Sequence, residues 1–198
     1  GAFTTAAGMV AITEKHLKDK FSQNLDKSNV VILGGTGPVG VASAVICAKA
    51  GANVTLVGRS LEKAEKIAGI CNHRYDSKNV KGGADADKSD FFNVADIVLN
   101  TGAAGIQLMS EEHIKNSNTL KICADTNAVP PSGIAGVDVM DNGKVIDMSP
   151  SKCLGIGALA IGNIKYKSQH ECLKLMYTSE KPVYLDFEDA FKFAQKSV

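Results

Sequence analysis

One glycine-rich segment has the residue types and spacing needed to bind the phosphates of a dinucleotide. Gly35, Gly37 and Gly40 form the pattern G-x-G-x-x-G. In this pattern the first glycine allows a tight turn, the second lets the backbone approach a pyrophosphate, and the third lets a helix pack closely on a strand. The first N–H groups of the following helix add a positive dipole. The candidate phosphate-binding residues are Gly35, Thr36, Gly37, Pro38, Val39 and Gly40.

The elements that must position this segment are visible on both sides of it. The apolar run Val30–Leu33 is short and rich in β-branched residues, which indicates a buried parallel strand. A helical pattern follows over Val41–Ala50, and Val54–Val57 gives a second apolar strand. The glycines therefore lie in the strand-to-helix turn of a β-α-β unit. A glycine-rich turn without a ligand is the alternative.

The residues after the second strand indicate which dinucleotide is bound. NAD-binding units usually carry an acidic residue about 20 residues past the glycines, where it accepts the ribose 2′-hydroxyl. Here Arg59 and Ser60 occupy that position. A guanidinium suits the 2′-phosphate of NADP, and Ser60 and Lys63 add a hydroxyl donor and a further charge. NADP is therefore the predicted cofactor, with a solvated loop arginine as the alternative.

Two later strands end in polar or glycine-rich turns. Asp96–Asn100 and Leu120–Ala124 are apolar runs of strand length. Ligands of open parallel sheets lie beyond the carboxyl ends of the strands, so the turn after the first of these runs is predicted to face the nicotinamide half. Asp125 ends the second run, where a functional role and a turn-capping role are equally compatible with the sequence. The candidate residues of the first turn are Asn100, Thr101, Gly102 and Ala103.

The pattern as a whole predicts an α/β protein with a Rossmann-like, doubly wound, mainly parallel sheet and helices on both faces. The predicted parts are a first helix within residues 1–22, which packs on or links to a further domain, an NADP-binding domain over 23–165, and C-terminal helices over 166–198. Other predicted elements are a helix from Thr4 or Thr5 to Phe21, a helix from Leu61 to Asn72, a short strand at Asn79–Lys81, a tight turn at Asp141–Lys144 between two short strands, a helix over Asn163–Tyr177, and a helix over Phe187–Lys196 capped by Asp186.

Composition excludes several other classes of protein. The 198 residues carry a net charge of +1, which gives no reason to expect a nucleic-acid partner. The five cysteines form no C-x-x-C pair, which favours reduced thiols and a cytoplasmic location over disulfides or zinc. The four histidines lack ligand spacing, so no metal is expected. No apolar run is long enough to predict a membrane span.

Several blocks together resemble one known family. Thr4–Ala7 opening the first helix, LGGTGPVG, VGRS, VLNTGAAG, CADTNAVPPSGIAGVD and LGIGALAIGNIKYK occur in this order. Along essentially its whole length the chain resembles the C-terminal, NADP-binding part of the NADP-dependent methylene-tetrahydromethanopterin dehydrogenases of methylotrophic bacteria. Members of that family carry a further domain before this point, which shapes much of the pterin side of the cleft. Its absence here indicates a fragment, a processed form or a changed substrate site.

The resemblance implies a reaction in one-carbon metabolism, on the route of formaldehyde oxidation. A hydride passes from the bridging carbon of methylene-tetrahydromethanopterin to NADP and leaves a methenyl cation, so no general base is required. Lys165 matches the lysine that lines the active site of the family, where it orients or polarises the pterin. Asp125 and Asn127 are implied to line the cleft. Thr4 and Thr5 are implied to contact the substrate, with a helix cap as the equal alternative.

The resemblance also implies a homo-oligomer, a trimer or a dimer. Two alternatives to the pterin dehydrogenase stay open at the level of sequence. One is a dehydrogenase for methylene-tetrahydrofolate or another small substrate such as a shikimate-type acid, because the glycine pattern and the arginine are shared widely. The other is a non-catalytic NADP-binding module.

Overall fold

The computed structural model describes all of residues 1–198 and places seven strands in one sheet, in the order β3-β2-β1-β4-β5-β7-β6. All neighbouring strands are parallel except β6 and β7. The strands are β1 (Asn29–Leu33), β2 (Asn53–Gly58), β3 (Val80–Ala84), β4 (Ile97–Asn100), β5 (Ile122–Asp125), β6 (Asn142–Val145) and β7 (Leu154–Ile156). The helices are α1 (Ala2–Phe21), α2 (Pro38–Lys49), α3 (Leu61–Arg74), α4 (Lys88–Phe92), α5 (Glu111–Asn116), α6 (Ala158–Thr178) and α7 (Phe187–Gln195), with a 3₁₀ turn at Asp85–Asp87.

Side chains that alternate along the buried strands divide the hydrophobic core between the two faces of the sheet. Val30 and Ile32 of β1 join the apolar cluster that includes residues of α1, α2, α3, α6 and α7. Val31 and Leu33 join the cluster on the opposite face, to which α4 and α5 contribute Phe92 and Ile114. Successive side chains of a strand point to opposite faces, so helices cover both sides. The predicted doubly wound, mainly parallel α/β fold is confirmed.

Two of the predicted element boundaries are wrong. The segment Asp141–Lys144 is not a tight turn between strands, because residues from Asn142 onward form β6 itself. Gly143 has φ 79° and accompanies a register shift against β7, which makes this segment a bulged strand. The other error concerns α6, which begins at Ala158 and not at Asn163, because Gly157 provides its N-cap and Ile161 is buried as part of the helix.

Local capping explains where several other helices begin. Asp186 caps α7 as predicted, since its Oδ1 accepts hydrogen bonds from the backbone N–H groups of Glu188 and Asp189. Ser60 caps α3 by accepting from the N–H of Lys63. Pro38 is the first residue of α2, a position at which no N–H is required.

The long helix α6 continues without a break through residue 165, the predicted end of the central domain. The helix α1 packs against α2, α6 and α7. The three-part division of the chain stays a prediction. No helix combines the length and the apolar character that crossing a bilayer demands. No group of three or more His, Cys, Asp and Glu side chains is arranged to hold a metal ion.

Candidate functional site

The turn between β1 and α2 is built from glycines because the surrounding backbone leaves no room for a side chain. Gly34 has φ 63°, and a Cβ there would lie 2.6 Å from the Cα of Gly102. The left-handed residue of the turn is therefore Gly34 and not Gly35, the glycine to which the sequence pattern assigned the tight turn. A Cβ at Gly40 would lie 2.6 Å from the Cα of Gly35, so the close helix-to-strand approach predicted at Gly40 is present.

The start of α2 offers unpaired hydrogen-bond donors at this turn. The backbone N–H groups of Val39 and Gly40 have no partner within the chain. A Cβ at Gly37 would meet only the carbonyl oxygen of Gly34, at 3.5 Å, so the backbone is open on that side. Free N–H groups at a helix N-terminus attract anions through both hydrogen bonds and the helix dipole. The local geometry fits a bound phosphate group.

A cleft of about 430 Å³ opens beside this turn, at the carboxyl edge of the sheet. Leu33 at the end of β1 and Asn100 at the end of β4 are register partners, and the strand order reverses between these two strands. Open α/β sheets bind ligands at such a switch point. The dinucleotide cleft, as we call it below, is lined by Gly34, Thr36, Gly37, Val57, Gly58, Arg59, Asp85, Thr101, Gly102, Ala103, Ile106 and Leu108.

Arg59 supplies the positive charge of the cleft. It follows β2 directly, is exposed, and has no ion pair or hydrogen bond to another residue of the chain. Ser60 and Lys63 stand next to it at the start of α3, outside the lining of the cleft. The hydroxyl oxygen of Ser60 accepts the N–H of Lys63 at 3.3 Å, which leaves its own proton free to be donated.

Asn100 and Asp125, at the ends of β4 and β5, form a buried polar network below the surface of the site. Asp125 is 1% exposed, and its carboxylate accepts the side-chain amide of Asn100 at 2.8 Å. It also accepts the backbone N–H groups of Asn127, Gly133 and Ile134 at 2.9, 2.7 and 3.1 Å. All these donors are satisfied by one carboxylate, which fixes the loop after β5 to the end of the sheet.

Asn127 joins the two loops that leave β4 and β5. Its Oδ1 accepts the N–H groups of Gly105 and Val129, at 3.2 and 2.9 Å, and its Nδ2 donates to the carbonyl of Pro131 at 2.7 Å. Asn127 is 7% exposed. The structure therefore places Asp125 and Asn127 as supports behind the surface of the site. A direct contact of either with a substrate stays a prediction.

Thr4, Thr5 and Lys165 lie where α1 crosses α6, outside the lining of the dinucleotide cleft. A Cβ at Gly8 would lie 2.9 Å from the backbone N of Lys165, so the two helices touch at this point. Thr4 and Thr5 lie inside the first turn of α1 and donate their hydroxyls to the carbonyl of Gly1, at 3.4 and 2.7 Å. Neither caps the helix, because α1 begins at Ala2 with Gly1 as its N-cap and has no side-chain cap hydrogen bond. Lys165 is half-buried, and its ammonium group has no partner in the chain.

The structure brings six of the thirteen predicted coenzyme-binding residues into the lining of one cleft. Besides Arg59, the predicted residues that line the cleft are Thr36, Gly37, Thr101, Gly102 and Ala103. The predicted residues outside the lining are Gly35, Pro38, Val39, Gly40, Ser60, Lys63 and Asn100. Sequence reasoning missed six lining residues, which are Gly34, Val57, Gly58, Asp85, Ile106 and Leu108. A signal for Asp85 existed, because it follows a strand at the same edge of the sheet as Arg59.

The burial of the thiols is a further property of the region around the site. Cys123 of β5 and Cys153, just before β7, are both fully buried, and so is Cys47 of α2. Burial raises the pKa of the Cys47 thiol to about 12. Cys47 and Cys123 are therefore small core residues, as their apolar surroundings in the sequence predicted.

No protein-family model matches the sequence. The NAD(P)-dependent methylenetetrahydromethanopterin dehydrogenase of Methylorubrum extorquens is 40% identical over 197 residues, which cover 98% of this chain. The chain belongs to the methylenetetrahydromethanopterin dehydrogenase family. The resemblance drawn from the sequence blocks is confirmed.

A second family relative from the same organism, the bifunctional protein MdtA, is 35% identical over 199 residues and matches 99% of the chain. The chain spans 66% of the length of each of these two relatives. Among solved structures, the quinate dehydrogenase of Corynebacterium glutamicum in complex with NAD superimposes with a TM-score of 0.58. That match covers 95% of this chain and 62% of the other at 15% identity, so it supports the Rossmann-like fold of this family member and nothing further.

Proposed function

We propose that this chain binds NADP in the dinucleotide cleft and oxidises methylene-tetrahydromethanopterin to methenyl-tetrahydromethanopterin by hydride transfer. The observation that carries the proposal is one cleft lined both by Gly37, the residue that leads into the free N–H groups at the start of α2, and by an unpaired arginine. The first feature suits a pyrophosphate and the second a 2′-phosphate. The name of the relative that is 40% identical supplies the substrate class, since this chain belongs to the same family.

In this reaction the residues of the chain bind and position the reactants, and the cofactor carries the reactive group. When bound, NADP supplies the carbon that accepts the hydride. The N-terminus of α2 holds the phosphates, and the turn from Thr101 to Ala103 supports the opposite wall of the cleft. No proton leaves the substrate at the reacting carbon, so no side chain must act as a base. The contribution of the protein is position and exclusion of water.

The choice of NADP over NAD rests on Arg59. Its guanidinium is unpaired, and the position after β2 holds no acidic residue that would accept a ribose 2′-hydroxyl. A hydrogen bond to a charged group contributes about 1.5–3 kcal/mol. We therefore propose that Arg59 binds the 2′-phosphate, with Ser60 and Lys63 adding a donor and a charge nearby.

Lys165 is the residue that we propose for the pterin side. Its ammonium is free of partners, and the contact between Gly8 and the backbone at Lys165 fixes the position of α6 at this point. A fixed, half-buried cation can orient a polar pterin ring or polarise one of its carbonyl groups. Thr4 and Thr5 lie about one helical turn before Gly8 on the neighbouring helix, and we propose them as further contacts.

We also propose self-association and a reducing compartment. Leu173, Met176 and Tyr177 of α6 are 56%, 53% and 92% exposed, and large exposed apolar side chains in one region are typical of interfaces. The five cysteines are all unpaired, and a reducing compartment keeps such thiols reduced. Light scattering during gel filtration measures the assembly: a single mass of one chain would contradict self-association.

The function is tested by a turnover assay with NADP and methylene-tetrahydromethanopterin, in which NADPH formation is followed by absorbance. We expect turnover with this carrier and at least tenfold lower kcat/KM with methylene-tetrahydrofolate, a difference of about 1.4 kcal/mol in transition-state binding. Faster reaction with the folate would favour the second substrate. Coenzyme binding without turnover on either carrier would leave a non-catalytic NADP-binding module.

The role of Lys165 is tested in the same assay. We expect Lys165→Ala to lower kcat/KM at least tenfold, about 1.4 kcal/mol, because the substrate loses a charged partner. Lys174→Ala is the matched control, since Lys174 is an exposed lysine of the same helix without an ion pair. An unchanged kcat/KM in Lys165→Ala would contradict the role.

A further inference from the structure

Two residues of opposite charge follow neighbouring strands at the edge of the dinucleotide cleft. Gly58 of β2 and Ala84 of β3 are register partners, so Arg59 and Asp85 are the first residues beyond two neighbouring strands. Neighbouring strands lie about 4.8 Å apart. Arg59 is the only cationic side chain in the lining of the cleft, and Asp85 is the only carboxylate.

Asp85 nevertheless pairs with a different cation. Its two carboxylate oxygens accept hydrogen bonds from Nζ of Lys88, at 3.1 and 3.2 Å, three residues further along the chain. The side chain of Lys88 is 19% exposed and that of Asp85 40%, so the pair is partly shielded from water. Arg59, by contrast, has no ion pair. The negative charge beside Arg59 is therefore neutralised by Lys88, and the guanidinium is left free.

We propose that Lys88 is a positioning residue that sets the preference for NADP over NAD by holding the carboxylate of Asp85. The inference deepens the proposed function and rests on it. Without Lys88, the carboxylate pairs with the guanidinium of Arg59 and repels a 2′-phosphate, since like charges at short range disfavour each other. A released carboxylate is also an acceptor for the ribose 2′-hydroxyl of NAD, the role that acidic residues have in NAD-binding units.

The ion pair of Asp85 and Lys88 is thus expected to affect binding of the 2′ group, in which the two coenzymes differ, and not binding of the phosphates that they share. In the proposed function, the phosphates that both coenzymes carry bind at the turn that leads into α2, and the lining residue Gly37 of that turn lies on a different element from Asp85. Only the group at the 2′ position differs between NADP and NAD. A change in the charge next to Arg59 must therefore appear in the ratio of the two affinities.

The experiment is a calorimetric titration with NADP and with NAD of the unaltered chain, Lys88→Met, Asp85→Asn and the double variant. We expect Lys88→Met to lower the ratio of NADP to NAD affinity about tenfold, or 1.4 kcal/mol. Asp85→Asn is expected to maintain or raise the ratio, because the repelling charge is gone. The double variant should match Asp85→Asn, since without the carboxylate Lys88 has nothing to hold.

Lys115→Met is the matched control. It breaks the 3.1 Å ion pair with Glu111 in α5, outside the cleft, and should leave both affinities unchanged. The inference is overturned if Lys88→Met weakens both coenzymes equally or if the double variant keeps the ratio of Lys88→Met. A lower ratio in Asp85→Asn than in the unaltered chain would also overturn it, because the carboxylate would then favour NADP.

The failure of this inference can be distinguished from the failure of the proposed function. If the unaltered chain binds neither coenzyme, the proposed function fails and this inference fails with it. If the chain prefers NADP and turns over while the ratio in Lys88→Met stays unchanged, only the inference fails. Should Lys88→Met not fold, as judged by thermal unfolding, the ratio measured in Asp85→Asn decides: a fall in that ratio overturns the proposal.

Discussion

At the scale of residues, the carboxylate of Asp125 connects the sheet to the site. It is fully enclosed and accepts four hydrogen bonds, one from Asn100 and three from the backbone of the following loop. An unmade hydrogen bond at a buried donor costs about 1–3 kcal/mol. The loop after β5 thus keeps its shape because one side chain satisfies several buried N–H groups at once.

Replacing Asp125 by asparagine should therefore be costly although the side chains have the same shape. An amide has one accepting oxygen, so either Gly133 and Ile134 or Asn100 and Asn127 would face a donor. We expect Asp125→Asn to lower the free energy of unfolding by about 2–5 kcal/mol, measured by urea denaturation.

Asp147→Asn is the control for this substitution, because Asp147 is exposed and without a hydrogen bond. Its free energy of unfolding should change by less than about 0.5 kcal/mol. Equal stability of both variants and the unaltered chain would show that the Asp125 network does not hold the loop.

The residues that could be found from the sequence are those whose role is local. The glycines of the first turn and Arg59 follow a strand directly, so their chemistry is readable from spacing alone. Leu108 was missed because it reaches the cleft only through contacts distant in sequence: its N–H and that of Met109 donate to the carbonyl of Gly133. Asp125 was identified as a candidate, but the sequence could not show that its carboxylate is buried or which groups donate hydrogen bonds to it, because both depend on the folded loop.

At the scale of elements, the crossing of α1 and α6 controls where Lys165 stands. Gly8 lies so close to α6 that a Cβ would come within 3.0 Å of the carbonyl of Ile161 and 2.9 Å of the N of Lys165. The missing side chain at Gly8 is what allows the backbones to meet. The sequence predicted a helix in this segment but not its partner, since a helical pattern does not show which element covers the helix.

Gly8→Ala should separate the two helices. We expect a loss of about 1–3 kcal/mol in the free energy of unfolding from overpacking, and a lower turnover because Lys165 moves with α6. Both are measured on the same preparation, by denaturation and by the dehydrogenase assay.

Gly69→Ala provides the comparison, since a Cβ at this exposed position of α3 would meet no atom within 4 Å. It should raise the free energy of unfolding by about 0.5–1 kcal/mol, the usual gain of alanine over glycine in a helix, with turnover unchanged. A Gly8→Ala variant as stable and active as Gly69→Ala would contradict the tight crossing.

At the scale of the whole molecule, the sheet order brings distant segments of the chain to one edge. The ends of β1, β2, β3 and β4 come from residues 33, 58, 84 and 100, and the turns that follow them line a single cleft. The fold class followed from the alternation of apolar strands with helices. The bulged strand β6 did not follow from local signals, because its pairing with β7 is a tertiary contact that a turn signal in the sequence does not show.

The central claim is that this cleft binds NADP through α2 and Arg59. The most direct measurement is a calorimetric titration of the unaltered chain and of Arg59→Gln with NADP and with NAD. We predict that the unaltered chain binds NADP at least tenfold more tightly than NAD, about 1.4 kcal/mol, and that Arg59→Gln abolishes this difference while the affinity for NAD stays the same. Equal affinities that do not respond to Arg59→Gln would contradict the role of the arginine, and binding of neither coenzyme would contradict the site itself.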